Sequence, residues 1–372
     1  MSARRVGVLL IAGLAVIAFA IWLSSRRHLD RDMAAGDLVL PGLQQSVNAV
    51  ATVTLRKGDD TRTTLKKETA DWSVAERGWP ADVSKVRKLL LDLGALNIVE
   101  EKTRLPANYA ALGVEDVSSP KATGTLIDVA APSRSWRLII GKSSTAKAGF
   151  VRVAGAPQSL LAAPLLSVDA DPKGWLDRTL LDIPLERVRE VAEKPNQGPA
   201  YVASREKKEQ NNFTVSPLPK GRALTGPAAA EPLAGALASL TLDDVRKVSG
   251  ASDAPLTHAV YSTFDGLQLE LSGRKDGTHD LVLISARSSA KESAAEADKL
   301  NARLNGWEFE IPDYKYNAIF TPLEELLEKP PEPAKKTAAA TKKTAGAGAH
   351  PAATSPAASP AASPAASPPT SR

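Results

Sequence analysis

Cysteine is absent from the 372-residue chain, which excludes disulfides, thiolate zinc sites, iron–sulfur clusters, a lipidated cysteine and cysteine catalysis. It leaves the redox compartment open, since a chain without thiols suits either side of a bacterial membrane. Aromatics are sparse at 5%, but the 43% of apolar residues is ample for a core. Histidine is rarer still: four in all, of which only His258 and His279 lie in the body of the chain. With no H-E-x-x-H and no His/carboxylate cluster, a histidine-based metal site is not expected, and both histidines read as ordinary surface residues. A field of one sign is missing too. Residues 1–32 carry +3 and residues 330–372 carry +4 of the total +5, which leaves the middle at −2. The basic character lives at the two ends, and nucleic acid is not an expected partner.

Catalytic motifs are equally scarce. The passage IIGKSS, Ile139–Ser144, resembles the end of a phosphate loop, yet Trp136 stands where the leading glycine is required. No G-x-S-x-G elbow occurs. Carboxylate pairs are frequent (Glu100-Glu101, Asp169-Asp171, Asp243-Asp244, Glu324-Glu325), and each reads as a solvated face, because acid–base work needs burial that separates pKa values. The expectation is therefore no catalytic, cofactor-binding or metal-binding residue, no cofactor and no small-molecule substrate.

What is present begins with an uncharged apolar run from Val6 to Leu23, bracketed by Arg4-Arg5 and Arg26-Arg27. Eighteen helical residues span about 27 Å, close to the thickness of a bilayer core. Ala18-Phe19-Ala20 has the form of a signal-peptide cleavage site, but the run continues through Ile21, Trp22 and Leu23. Residues 1–28 are therefore expected to be an uncleaved transmembrane anchor, with its short N-terminal tail in the cytoplasm and the body outside. Residues 29–46 read as a linker. The final segment, 329–372, is rich in Lys, Ala, Pro and Ser, repeats AASP, and is expected to be disordered.

Between these ends the pattern predicts an α+β protein of antiparallel strands with packed helices. Two alternating segments flank Gly58-Asp59-Asp60, as in a hairpin. A helix follows Pro80, with Asp82 as its N-cap and Val83, Val86, Leu89, Leu90, Leu93 and Leu96 on one arc. Lys85, Arg87 and Lys88 fall outside that arc, and Lys88 can pair with Asp92. Strands are expected at TGTLIDVA, SWRLIIG and GFVRVAG, and a short helix around Leu160 to Leu166. The pattern then starts again. At a shift of 144 residues, Leu89, Leu93, Leu96 and Ile98 meet Leu233, Leu237, Leu240 and Leu242. Because the second copy keeps the leucines and drops the basic residues, what repeats is packing, and a dedicated anion site on the helix is not expected. LQLELSG and HDLVLIS should pair through Asp276-Gly277, a helix should run from about Ala290 to Leu304, and WEFEIPDYKYNAIF reads as a strand pair. The units are drawn as 47–184 and 185–328.

The succession DWSV, WPADVSKVRKLLLDLGALNIVEE, NYAALGV, LIIGK, GFVRVAG and WLDRTLL resembles the bacterial family called domain of unknown function 4340, most clearly over residues 70–182. The resemblance implies an N-terminal membrane anchor and one or two copies of the domain. It also implies a gene setting like that of auxiliary subunits of ABC-type export and gliding-motility systems, and it supplies no catalytic residues. The expected protein is thus a non-catalytic scaffold in the bacterial inner membrane, facing the periplasm, with integral membrane transport proteins as partners. The alternative is a module that binds an envelope polymer through the Lys-bearing tail.

Overall fold

The computed structural model describes residues 36–69, 71–248 and 256–329. The expected anchor and nearly all of the expected tail lie outside them. Among the described residues, no helix is long and apolar enough to cross a membrane.

Short, alternating segments joined by turns make two large antiparallel sheets, as period-2 patterning dictates. The first half supplies β1 (Thr52–Arg56), β2 (Arg62–Glu68), β3 (Asp71–Val74), β4 (Trp79–Pro80), helix α1 (Val83–Gly94), β5 (Asn97–Glu101), β6 (Thr125–Ala131), β7 (Arg134–Ser143), β8 (Gly149–Val153) and β9 (Ser159–Ala163). A linking pair, β10 (Thr179–Leu181) and β14 (Leu240–Thr241), forms a two-stranded sheet. The second half supplies β11 (Val188–Lys194), β12 (Tyr201–Ser204), β13 (Thr214–Ser216), β15 (Asp244–Lys247), β16 (Thr257–Thr263), β17 (Leu267–Asp276) and β18 (His279–Ser288). Helix α2 (Lys291–Leu304), β19 (Trp307–Glu310) and helix α3 (Asp313–Ile319) complete it.

The first sheet runs β4-β3-β2-β1-β6-β7-β8-β9-β5 and the second β13-β12-β11-β16-β17-β18-β19-β15. Apart from β4, adding ten to each label of the first gives the second. One apolar cluster runs from Val39 to Leu327 through both halves, and a smaller one (Tyr109, Val114, Val117, Leu126, Ile139) is separate from it.

Helix α1 forms where its period and cap place it. The Asp82 carboxylate accepts from the Lys85 N–H at 3.0 Å, Leu89 and Leu93 are buried, and Lys88 reaches Asp92 at 2.5 Å. Val83, expected on the buried arc, is exposed.

Four expectations fail for local reasons. Residues 160–163 belong to strand β9 and 164–166 form no helix, because a short apolar run has no decisive period and Pro164 stops any helix through it. The echo of α1 is a single turn, Glu231–Ala234, and the chain then leaves helical geometry: Ser239 has φ of 48°, and Leu240 enters β14. WEFEIPDYKYNAIF is one strand, β19, followed by α3, whose start at Pro312-Asp313 suits the first turn of a helix. The described part of the 29–46 linker is built into the body, with Val39, Leu40 and Leu43 buried.

Candidate functional site

A cleft of about 600 Å³ opens where the turn after β3 meets the outer end of the second sheet. The turn is Ala75–Gly78. Its tight reversal needs Gly78 at φ +66°, where a Cβ would also stand 3.3 Å from the Trp307 ring. Directly behind it Trp79 is buried, edge-on to Trp307 and Phe309 with centroids 5.5 and 5.2 Å apart. The Trp79 indole N–H donates to Asp177 O at 2.9 Å, and Arg303 from α2 lies over the indole at 5.4 Å.

The polar wall is made of interlocked pairs. Arg77 grips Asp244 of β15 with two bonds, Nε to Oδ1 at 2.6 Å and Nη2 to Oδ2 at 3.1 Å. Lys173 lies 3.3 Å from Asp244 and 3.5 Å from Glu310, and His279 Nδ1 lies 2.9 Å from Glu310. Glu308 accepts from Arg246 at 2.7 Å and from Arg274 at 2.8 and 3.0 Å. Strand pairing explains the proximity, since Asp244 stands opposite Glu310 and Arg246 opposite Glu308.

These contacts set the protonation states. Burial works to raise the Asp244 carboxyl, but the Arg77 and Val245 hydrogen bonds and the Arg77 and Lys173 charges outweigh it. Glu308 is likewise raised by burial and drawn down further by Arg274 and Arg246. Both therefore stay ionised at neutral pH, which suits ion pairing and not proton donation. The lining carries Arg77, Lys173, Arg246 and Lys247 against Glu76, Asp244, Glu308 and Glu310, so the opposite charges balance.

The residues weighed in the sequence separate here. Asp244 and His279 belong to the cleft, and Asp244 is a half-covered ion-pair partner, not a solvated acid. Six of the remaining paired acids meet a nearby group: Glu100 meets Lys102, Glu101 meets Arg104, Asp169 meets Lys57, Asp171 accepts from the Lys173 N–H, Asp243 meets Arg178, and Glu324 meets Arg222. His258 bonds Ser272 away from the cleft. Lys85 donates to Gly174 O and lies over Trp175, while Lys142 of IIGKSS binds the Ala110 and Ala111 carbonyls. Arg77, Gly78 and Trp79 were not singled out as a site, although a Trp beside Gly and Pro in an aromatic-poor chain was the available signal.

One further group stands apart. Glu193 on β11 is 2% exposed, and neither carboxylate oxygen has a hydrogen-bond partner among the described residues. Burial pushes its carboxyl up to about 9, so it is a neutral acid at pH 7.

These features define an all-antiparallel α+β body of two sheets fastened at a charged and aromatic joint. The family model for the domain of unknown function DUF4340 matches residues 72–259, just over half of the chain, and the chain belongs to that family. The match begins at Trp72 in β3 and ends in β16, so it takes in Arg77, Trp79, Lys173 and Asp244 and draws on both sheets. Comparison with curated proteins and with solved structures returns no match.

Proposed function

We propose that the protein is a non-catalytic scaffold, anchored in the membrane by residues 6–23, that holds partners of an envelope transport complex on the extracytoplasmic side. The observation that carries this reading is the joint. Its ionised groups are spent on one another, with Arg77 and Lys173 of the first half reaching Asp244 and Glu310 of the second, which ties the sheets together and leaves little free charge aimed at a substrate. An acid–base site would instead hold a carboxyl raised toward neutrality at a solvent-reached surface. Two carboxyls here are raised by burial, and neither lines the charged cleft: Glu193 is 2% exposed at the wall of a second hollow beside Tyr201 and His258, and Asp280 is held by Lys275 at 2.9 Å.

The two sheets are read as two copies of one unit. Their shared strand order and the 144-residue alignment of buried leucines support this, with α2 as an insertion in the second copy.

The catalytic alternative has a direct test. The full chain in detergent is offered nucleotides, peptides and esters, and no turnover is expected. Turnover that is lost in Asp244→Asn while the fold is kept would overturn the scaffold reading.

A further inference from the structure

A smaller hollow of about 420 Å³ lies where β2, β3 and β4 form the edge of the first sheet. Its charged lining residues are Glu68, Asp71 and Asp177, all acids, whereas the joint cleft balances the two signs. Trp72 and Trp79 line it as well, and Pro80, Ala81 and Val83 add an apolar wall.

Asp177 shows how this hollow takes a cation. Arg303 of α2 donates to its carboxylate at 2.9 Å and lies over the Trp79 indole at 5.4 Å. Glu68 and Asp71, beside Trp72, supply the same acid and indole groups without a cation. They stand directly opposite each other in the β2–β3 pair, where like charges are destabilising. Neither makes an ion pair among the described residues; Glu68 accepts one long bond, from Ser73 Oγ at 3.4 Å. Lys66 shares their face of the hairpin and pairs with neither. No group of three acids or histidines among the described residues is placed to hold a metal ion, so an organic cation is the charge that fits.

The Trp72 indole is a second, independent sign. Trp72 is 7% exposed, yet its N–H has no hydrogen-bond partner among the described residues. The indoles of Trp79, Trp136 and Trp175 each donate to a main-chain carbonyl. The Trp72 N–H is not one of the fully sealed orphan atoms, and the hollow is the space that Trp72 lines. A donor so nearly buried is costly to leave unmade, and a carbonyl entering the hollow satisfies it.

We propose that the hollow receives an arginine-bearing segment of a partner polypeptide. The guanidinium lies between Glu68 and Asp71, its planar fork able to meet both carboxylates. Its stem follows Pro80, Ala81 and Val83, and a main-chain carbonyl of the segment accepts from the Trp72 N–H. The pairing of a cation with a carbonyl is what selects a peptide over a free amine. The inference rests on the reading of the body as a holder of protein partners, and it names what one of them presents.

With only six tryptophans in the chain, indole nitrogen–proton spectra of the full chain in an uncharged detergent report on each ring, and Trp72→Phe assigns the Trp72 signal. The probe is an acetylated, amidated hexapeptide of alanines around one arginine. Its control carries citrulline, the neutral isostere, in place of the arginine. The arginine peptide is expected to move the Trp72 signal saturably and to leave Trp136, held by Pro41 O, in place. Binding should weaken by about tenfold or more for the citrulline peptide and for the Glu68→Gln, Asp71→Asn double variant, whose unmoved Trp136 signal shows that the fold is kept. Equal binding of the two peptides, or unchanged affinity in the variant, overturns the cation site. A Trp72 signal that never moves overturns the hollow as the place of binding. Either failure leaves the scaffold reading standing if membrane proteins still co-purify with the chain. Recovery of the chain alone, with peptide binding at Trp72 intact, overturns the scaffold reading and upholds the site.

Discussion

Replacing Glu193 by Gln keeps the shape of the side chain and removes its titration. The folded carboxyl titrates at about 9, against 4.5 for the ordinary group. Through that window the folded chain holds a proton that the unfolded chain has released, so stability falls as pH rises, by up to about 1.4 kcal/mol per pH unit. Below the window both states are protonated and the cost vanishes. Glu193→Gln should therefore raise the urea midpoint at pH 8, and its advantage should shrink toward pH 4. Denaturation curves that stay parallel across this range would contradict the assignment. The joint acids have the opposite sign, because Asp244 and Glu308 are held down and contribute above the carboxylate range, losing that contribution as pH falls. None of this was legible in the residues. Glu193 sits in a plain alternating strand, and Asp244 finds Arg77 across 167 positions of chain, a separation that no local spacing encodes.

Helix α1 is the element that the sequence describes best, because its cap, its period and its Lys88–Asp92 pair are all local. Leu93→Ala should destabilise by about 2–5 kcal/mol, since it opens a cavity at a fully buried position. Lys88→Ala should change stability by no more than about 0.5 kcal/mol. Comparable losses at the two sites, measured by chemical denaturation, would mean that the buried face has been misassigned. The β17–β18 hairpin was legible for a similar reason, with Gly277 supplying the positive φ of its turn. Where the signal was an apolar run alone, it failed: β9 read as helix, and α3 read as strand because its aromatics alternate. The second set of repeated leucines (Leu233, Leu237, Leu240, Leu242) is buried, as is the first. Burial is what that repetition carried, and the helix was not.

At the scale of the whole molecule, periodicity and turn signals pointed to an α+β body and the division of charge to basic ends, but strand order lay beyond reach. Pairings such as β1 with β6 and β5 with β9 join segments separated by other strands, and many orders are compatible with the same alternation. The joint emerges only once the sheets exist, since it needs Trp79 from one half and Trp307 with Phe309 from the other. Such a fastened pair of sheets suits a platform for other proteins. The most direct test is isolation of the full chain from membranes in mild detergent, alongside a chain lacking residues 330–372, with the composition and stoichiometry of each particle measured. The scaffold account predicts that both forms bring down the same integral membrane proteins in fixed ratio. Recovery of the full chain alone, with binding to cell-wall polymer that disappears with the tail, would contradict it.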